Sequence, residues 1–341
     1  MLSRARDTAK RVLRRLPSVR IARNLERLNT RLARLERSIE RLEAMSKRSS
    51  GTIERLEATS RRIDARLTHE VKWRSIFNRK LDATLRALYL SDLEALPYPY
   101  RLTMQRFKLR SQNEEDGIIL ALLREAGVTT RKFVDIGSGS TGGNAGLLAY
   151  ECGWAGLMVD VRSVAVREAR WRFAGNAGVI VVRERVTMEN VNELVAAHGF
   201  VGEVDLFSID IDSHDYWLLK ALAACSPRIL VVEYNAHFGP DASVTVPYEA
   251  LPDDAPKGYH GASLTALERL GREKGYRLVA CDNMGANAFF LRDDVGRAVP
   301  GLTPREAYRP ALSRLSLFDE EARQLNVHDA IRERGLPLVE V

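Results

Sequence analysis

Apolar residues recur at Ile21, Leu25, Leu28, Leu32, Leu35, Ile39 and Leu42, at spacings that alternate between four and three. That is a heptad seam, and it predicts a long coiled-coil helix. The same register places Ser46 and Ser49 on the seam beside Gly51, then resumes at Ile53, Leu56, Ile63 and Leu67. Polar seam positions weaken the middle of such a helix, which would run roughly 75 Å from about residue 20 to 70. A single arginine-rich helix lying on a surface is the alternative. A second helical stretch, about 72–93, carries Trp73, Ile76, Phe77, Leu81, Leu85 and Leu88 on one broad face, and LPYPY at 96–100 marks a domain boundary.

Beyond residue 100 the period changes. Ser111 and Glu114 form a capping box ahead of the apolar set Ile118, Ile119, Ala121, Leu122 and Leu123, which predicts a helix to about Gly127. Five short runs rich in Val, Ile and Leu follow: RKFVDIG, WAGLMVD, GVIVV, VDLFSID and RILVVEY, separated by helix-length segments. SLTALERLGREKG then gives a helix stopped by Gly275, and YRLVACD and NAFFLRDD form a closing strand pair. Continuous apolar strands alternating with helices mean an α/β fold, a doubly wound parallel sheet with helices on both faces. Such a sheet binds its ligand beyond the carboxyl ends of its strands. The domain is expected over 100–295, followed by a helical extension, 296–341, with short helices around TPREAYRPALSRL and DEEARQLNVHDAIRERG.

Charge divides the chain. The net charge is +7, yet residues 1–90 carry 24 Lys+Arg against 10 Asp+Glu, so the remainder is mildly acidic. Residues 1–20 set Leu2, Val12, Leu13, Leu16 and Val19 among seven basic side chains and Asp7, a basic amphipathic segment suited to an anionic membrane surface. Nucleic acid would use the same charges, but no zinc-finger, helix-turn-helix or RNP-type signature accompanies them. The longest apolar run, Ile118 to Leu123, is far short of a spanning helix, and the start has no continuous apolar core of a signal peptide. Cys152, Cys225 and Cys281 form no CxxC pair, so a reducing cytoplasm is expected, with placement at the inner membrane face through residues 1–20. Residues 21–95 are expected to make the chain a homo-oligomer.

The candidate chemistry lies at strand ends. The first strand enters DIGSGSTGGNA, residues 135–145, in which Gly137, Gly139 and Gly142 satisfy GxGxxG. Alone, that would suggest a nicotinamide or flavin enzyme. Asp135, however, stands two residues before the first glycine, where an acid suits a cationic ligand such as an ammonium or a sulfonium better than a pyrophosphate. Asp160 ends the second strand, where a carboxylate can accept hydrogen bonds from ribose hydroxyls. Together these favour S-adenosylmethionine (SAM) over NAD.

FVDIGSG, LMVD, SIDID and VVEYN, in this order, resemble the class I SAM-dependent methyltransferases, and most of all the FkbM-type group. SQNEEDGIIL is similar to the element before the first strand in that group, and GASLTAL, KGYRLV and NAFFLR to its closing helix and strands. The resemblance covers about 105–293. It implies a Rossmann-like seven-stranded sheet with one antiparallel strand, with Asp135, Gly137 and Gly139 at the methionine end of SAM and Asp160 on the ribose. Asn144, at the end of the loop, and Asp210, on the adenine side, complete the expected cofactor set. SGSTGG is longer and richer in small residues than the loop of many members.

In SIDIDSHDYW, strand alternation puts Ser208, Asp210 and Asp212 on one side. The fifth strand delivers Glu233 and Asn235 two residues apart. Asp210, Asp212, Glu233 and Asn235 form an all-oxygen set that suits Mg²⁺, or else orients substrate hydroxyls with no ion. A hydroxyl acceptor needs a metal or a base, and His214, His237 and His260 are candidates, with Asp210, Asp212, Glu233 and His260 forming the expected catalytic group. Tyr234, Tyr248, Tyr259 and Trp217 are candidates to line a sugar-sized pocket, although core packing explains them equally well. Residues 236–261 exceed ordinary loop length and read as a lid. The expected activity is O-methyl transfer from SAM to a hydroxyl of a sugar, glycan or glycolipid-type acceptor. The acceptor class comes from the resemblance. The alternatives are an NAD-dependent oxidoreductase using GSGSTG, and a coiled-coil scaffold carrying a non-catalytic nucleotide-binding domain.

Overall fold

The computed structural model describes residues 95–249, 258–310, 331 and 334–341, together with Arg34, Leu35, Glu40, Thr59 and Ser60, which are helical. The expected basic segment over 1–20, the coiled coil and connecting helix of 21–95 apart from those positions and Ala95, and the helix expected around 319–335 apart from Ile331 and 334–335 lie outside the described residues. The chain divides into Met1–Ser75 and Ile76–Val341, and the second unit holds the sheet. Among the described residues no helix is long and apolar enough to cross a membrane.

The element order is α1 (Tyr100–Thr103), α2 (Glu115–Ala126), β1 (Lys132–Ile136), α3 (Gly146–Tyr150), β2 (Ala155–Asp160), α4 (Ser163–Arg172), β3 (Val179–Arg183) and α5 (Val191–Ala197). It continues with β4 (Gly202–Ile209), α6 (Asp215–Ala221), β5 (Cys225–Glu233), β6 (Val244–Thr245), α7 (Leu264–Glu273), β7 (Tyr276–Cys281), β8 (Asn287–Arg292), α8 (Pro304–Ala307) and β9 (Val339–Glu340). Seven strands form one sheet in the order β3-β2-β1-β4-β5-β8-β7. All neighbours are parallel except β8, which runs against both β5 and β7. The seven strands are those the apolar runs predict, and the single reversed strand is the one the resemblance implies.

Side-chain alternation splits the core into two layers. Val134, Ile136, Phe207, Ile209, Leu230 and Val232 pack with α5, α6 and α7 on one face. Phe133, Met158, Leu206, Ile229, Val231 and Phe289 pack with α2, α3 and α4 on the other. Because both faces are covered, each strand is a nearly continuous apolar run, which is why the sequence patterns are so plain. The chain leaves β1 toward β2 on one side, and β4 returns on the other. The carboxyl ends of β1 and β4 therefore bound a topological switch point.

The start of α2 differs from the expected capping box. Ser111 Oγ accepts a hydrogen bond from the Asp116 N–H, and Asp116 Oδ2 accepts from the N–H groups of Leu109, Arg110 and Ser111. Glu114 instead takes a left-handed φ of 75° and pairs with Arg106. The longer-range carboxylate wins because one oxygen satisfies three backbone donors at once.

The described part of the C-terminal extension is tied to the sheet domain. Leu302 N–H donates to the Leu278 carbonyl, and Tyr308 Oη to that of Ala236. β9 pairs with β6, and Ile331 packs against Phe238, Val244, Val246 and Tyr259.

Candidate active site

A cleft of about 790 Å³ opens at the carboxyl ends of β1, β2 and β4. Its volume lies within the range of small-molecule sites. Six carboxylates line it, from Glu115, Asp160, Glu184, Asp210, Asp212 and Glu249, against the guanidinium groups of Arg162 and Arg185. The mouth is therefore acidic.

The glycine loop forms the wall beside β1. Gly137 and Gly139 have φ of 89° and 60°, and a Cβ at Gly137 would lie 1.7 Å from the Asp210 carbonyl oxygen. Only glycine permits that crossing of the loop over the end of β4. The N–H groups of Gly137 and Ser138 donate to the Val159 carbonyl, and that of Gly139 to Asp160 Oδ2. These donors face the protein.

Asp135 does not line the cleft, contrary to the expected contact with the ligand. It is buried under the loop, where Oδ2 accepts from the Ala145 N–H at 2.8 Å, and a Cβ at Gly143 would come within 2.9 Å of both its oxygens. Burial pushes its pKa up to about 7 despite the backbone bonds it accepts. Its place one layer below the ligand surface follows from its packing against the turn at 143–145.

Asp160 is buried at the end of β2. Oδ1 accepts from Arg162 N and Nε, at 2.8 and 3.0 Å, and Oδ2 from Arg162 Nη2 and Gly139 N, at 2.8 and 3.0 Å. Burial alone would raise its pKa, but the hydrogen bonds and charge of Arg162 outweigh that and hold it below the usual carboxylate value. The carboxylate expected to accept from ribose hydroxyls thus accepts four hydrogen bonds from the chain itself.

Asn144 does line the cleft, with its amide spent on structure: Nδ2 donates to Ser208 Oγ at 3.0 Å and Asn287 Oδ1 at 3.4 Å. Asn287 Nδ2 passes the chain on to Glu115 Oε1 at 3.1 Å. This ladder joins α2, β8, the 143–145 turn and β4. Gln112 and Glu115 on the cleft wall, like Arg162 and Glu184, were not singled out from sequence. Only the SQNEEDGIIL resemblance pointed near the first two.

The strand alternation expected through Asp212 stops early, because β4 ends at Ile209. Ser208 is fully buried, while Asp210 and Asp212 lie in the following loop and line the cleft. Asp215, the first residue of α6, bends that loop by accepting from the N–H groups of Ile211 and Ser213, at 2.8 and 3.2 Å. Asp212 accordingly adopts a left-handed φ of 56°. Burial, then the charges of Asp215 and Asp212, raise Asp210 well above the usual carboxylate range and favour its neutral form.

Glu233 closes β5, and its Oε2 accepts from the Asp212 N–H at 2.9 Å. Asn235 is not placed with the carboxylates as expected: Nδ2 donates to the carbonyls of Gly258 and His260, at 2.6 and 2.8 Å, and Oδ1 accepts from His237 N–H. The group that does converge is Asp212, Glu233 and His260, whose ligand-type atoms all lie within 4.8 Å of one another. His214 reaches the Glu249 carbonyl at 3.0 Å on the rim. Of the four aromatics, only Tyr248 lines the cleft. Tyr234 and Tyr259 are core residues whose hydroxyls donate to the carbonyls of Arg309 and Pro337, and Trp217 Nε1 donates to that of Val246. Tyr248 Oη donates to Glu189 and accepts from Met188 N–H, tying a described part of the expected lid to the segment after β3.

The donor set fits SAM better than a dinucleotide. A pyrophosphate needs free N–H donors at the start of a long helix, whereas α3 has five residues and the named N–H groups of the loop are bonded inward. A ligand bearing an ammonium and a sulfonium suits a cleft rich in carboxylates.

No protein-family model matches the chain, and no curated protein matches it. Solved structures similar to it include methyltransferases. A ribosomal protein L11 methylase from Lactobacillus delbrueckii subsp. bulgaricus is 13% identical, with 53% of this chain and 80% of that one covered at a TM-score of 0.33. A SAM-dependent methyltransferase from Thiobacillus denitrificans, in complex with S-adenosyl-L-homocysteine, is 19% identical over 54% and 73%, at 0.31. An S-adenosylmethionine-dependent methyltransferase from Clostridium acetobutylicum ATCC 824 is 11% identical over 53% and 91%, at 0.35. At such identities and scores, the sheet order and the site geometry carry the functional reading.

Proposed function

We propose that the chain is a SAM-dependent O-methyltransferase of the FkbM type, acting on a hydroxyl of a sugar, glycan or glycolipid-type acceptor. The observation that carries this reading is the acidic cleft at the switch point, walled by a glycine loop whose named N–H groups point into the protein. The acceptor class rests on the sequence resemblance. Bound SAM would supply a methyl group on a sulfonium for in-line transfer to oxygen.

The residues of the chain divide the remaining work. Asp160 would hold the ribose hydroxyls once Arg162 gives way, and Gly137 and Gly139 let the backbone approach closely. Burial and the neighbouring carboxylates favour the neutral form of Asp210, which suits it to donate a hydrogen bond. Asp212, Glu233 and His260 stand at the acceptor side and are the groups able to take or redirect the hydroxyl proton. Tyr248 and His214 border the mouth and exclude water. The heptad seam supports a homo-oligomer, and the charge of residues 1–20 supports contact with an anionic membrane surface.

Incubation with methyl-labelled SAM and a panel of hydroxyl-bearing glycans tests the activity. Label is expected in an acid- and base-stable ether, with at least hundredfold loss in Asp160→Ala. Transfer to nitrogen or carboxylate acceptors alone would overturn the O-methyl assignment.

A further inference from the structure

Asp212, Glu233 and His260 come from three separate segments: the loop after β4, the end of β5, and the stretch before α7. Their nearest ligand-type atoms lie within 4.8 Å of one another. Two donors on opposite sides of a metal at ~2.1 Å each span about 4.2 Å, so the trio is a small side-chain adjustment from closing around one ion.

The backbone holds the trio in register. Asn235 Nδ2 grips the carbonyls of Gly258 and His260, Gly261 N–H donates to the Ser213 carbonyl at 2.7 Å, and Asn235 N–H donates to that of Ala262 at 2.8 Å. Glu233 Oε2 holds the Asp212 N–H, which orients the loop carrying the second carboxylate. Glu233 is 5% exposed and His260 9% exposed.

From this we infer that Asp212, Glu233 and His260 form a binding site for a divalent transition-metal cation, of the Mn²⁺ class, at the acceptor edge of the cleft. The imidazole sets the metal class, since nitrogen with two carboxylates suits Mn²⁺, Fe²⁺ or Zn²⁺ better than Mg²⁺ or Ca²⁺. The all-oxygen set expected from sequence is thereby replaced, because Asn235 positions His260 instead of joining the donors. Three protein ligands would leave coordination positions open, and Asp212, the member of the trio that lines the cleft, would connect the ion to it. A cation there would bind the acceptor hydroxyl and lower its pKa; that use, unlike the site itself, rests on the methyltransferase reading.

Titration of the full-length protein with Mn²⁺ alone, followed by the loss of the free-ion electron paramagnetic resonance signal, tests the site. One ion per chain at micromolar affinity is expected, with at least tenfold weakening in His260→Gln, Glu233→Gln and Asp212→Asn, and Mg²⁺ a weaker competitor. Spin-echo modulation on the wild-type complex is expected to show imidazole nitrogen coupling, which needs no variant to fold. No binding at millimolar Mn²⁺, or binding without nitrogen coupling and unchanged in His260→Gln, would overturn the site. S-adenosylhomocysteine binding in the same samples separates the two claims. Its binding without Mn²⁺ removes the cation site alone, whereas Mn²⁺ binding without it removes the methyltransferase reading alone.

Discussion

Asp160 and Arg162 show how a single pair can decide when a site is open. The carboxylate is buried and the Arg162 side chain is 68% exposed, so the guanidinium can leave at the modest cost of a surface ion pair while the acid stays in place. A ribose that takes both oxygens must displace it. Arg162→Ala is therefore expected to tighten S-adenosylhomocysteine binding roughly two- to fivefold, the worth of an exposed pair of about 0.5–1 kcal/mol. Weaker binding in calorimetry would mean that Arg162 touches the ligand instead. The two acids at the ends of β1 and β2 were visible in the sequence as strand-end carboxylates, but their different depths were not. Depth depends on the turn at 143–145, whose contact with Asp135 is a matter of tertiary packing.

At the scale of elements, the β7–β8 hairpin turns on Asp282, which accepts from the N–H groups of Met284, Ala286 and Asn287. Burial, with the charge of Glu115, pushes its pKa up to about 7 from 3.8. Between these values the folded chain holds a proton that the unfolded chain has released, so stability falls as pH rises through the window and the loss is complete above it. Asp135 acts in the same direction. Asp160, Glu203 and Asp294 have lowered values, so their contribution is present above the ordinary carboxylate range and is lost only below it. The melting temperature is expected to drop by several degrees from pH 5 to pH 8, and to drop less in Asp282→Asn, which keeps an acceptor oxygen without the charge. An identical slope in the variant would show that Asp282 is not the responsible group. The seven sheet strands were legible because each is buried on both faces and reads as an apolar run. β6 and β9 were not: each is two residues long, and they pair Val244 with Glu340 and Thr245 with Val339, which no local pattern records. The same limit hid Asp116, which holds the N–H groups of Leu109, Arg110 and Ser111 before α2, where nearby Ser111 and Glu114 offered a plausible local motif.

At the scale of the molecule, the doubly wound sheet brings the ends of β1, β2, β4 and β5 together, and its order with one reversed strand is what the sequence resemblance implies. The glycine loop, Asp160 and Asp212 line the cleft at the switch point, and Glu233 and His260 converge on Asp212. That convergence was partly legible, since Asp212 and Glu233 are strand-end acids. His260 was expected with them as a candidate base, but the contacts that bring it there, among them the Asn235 clamp spanning 25 residues, have no local pattern. The most direct test of the account is calorimetric titration of the full-length protein with S-adenosylhomocysteine and, in parallel, NADH, repeated on Asp160→Ala. The account predicts micromolar binding of S-adenosylhomocysteine that the substitution weakens at least tenfold, and no heat with NADH. Binding of NADH, or of neither ligand, would contradict it.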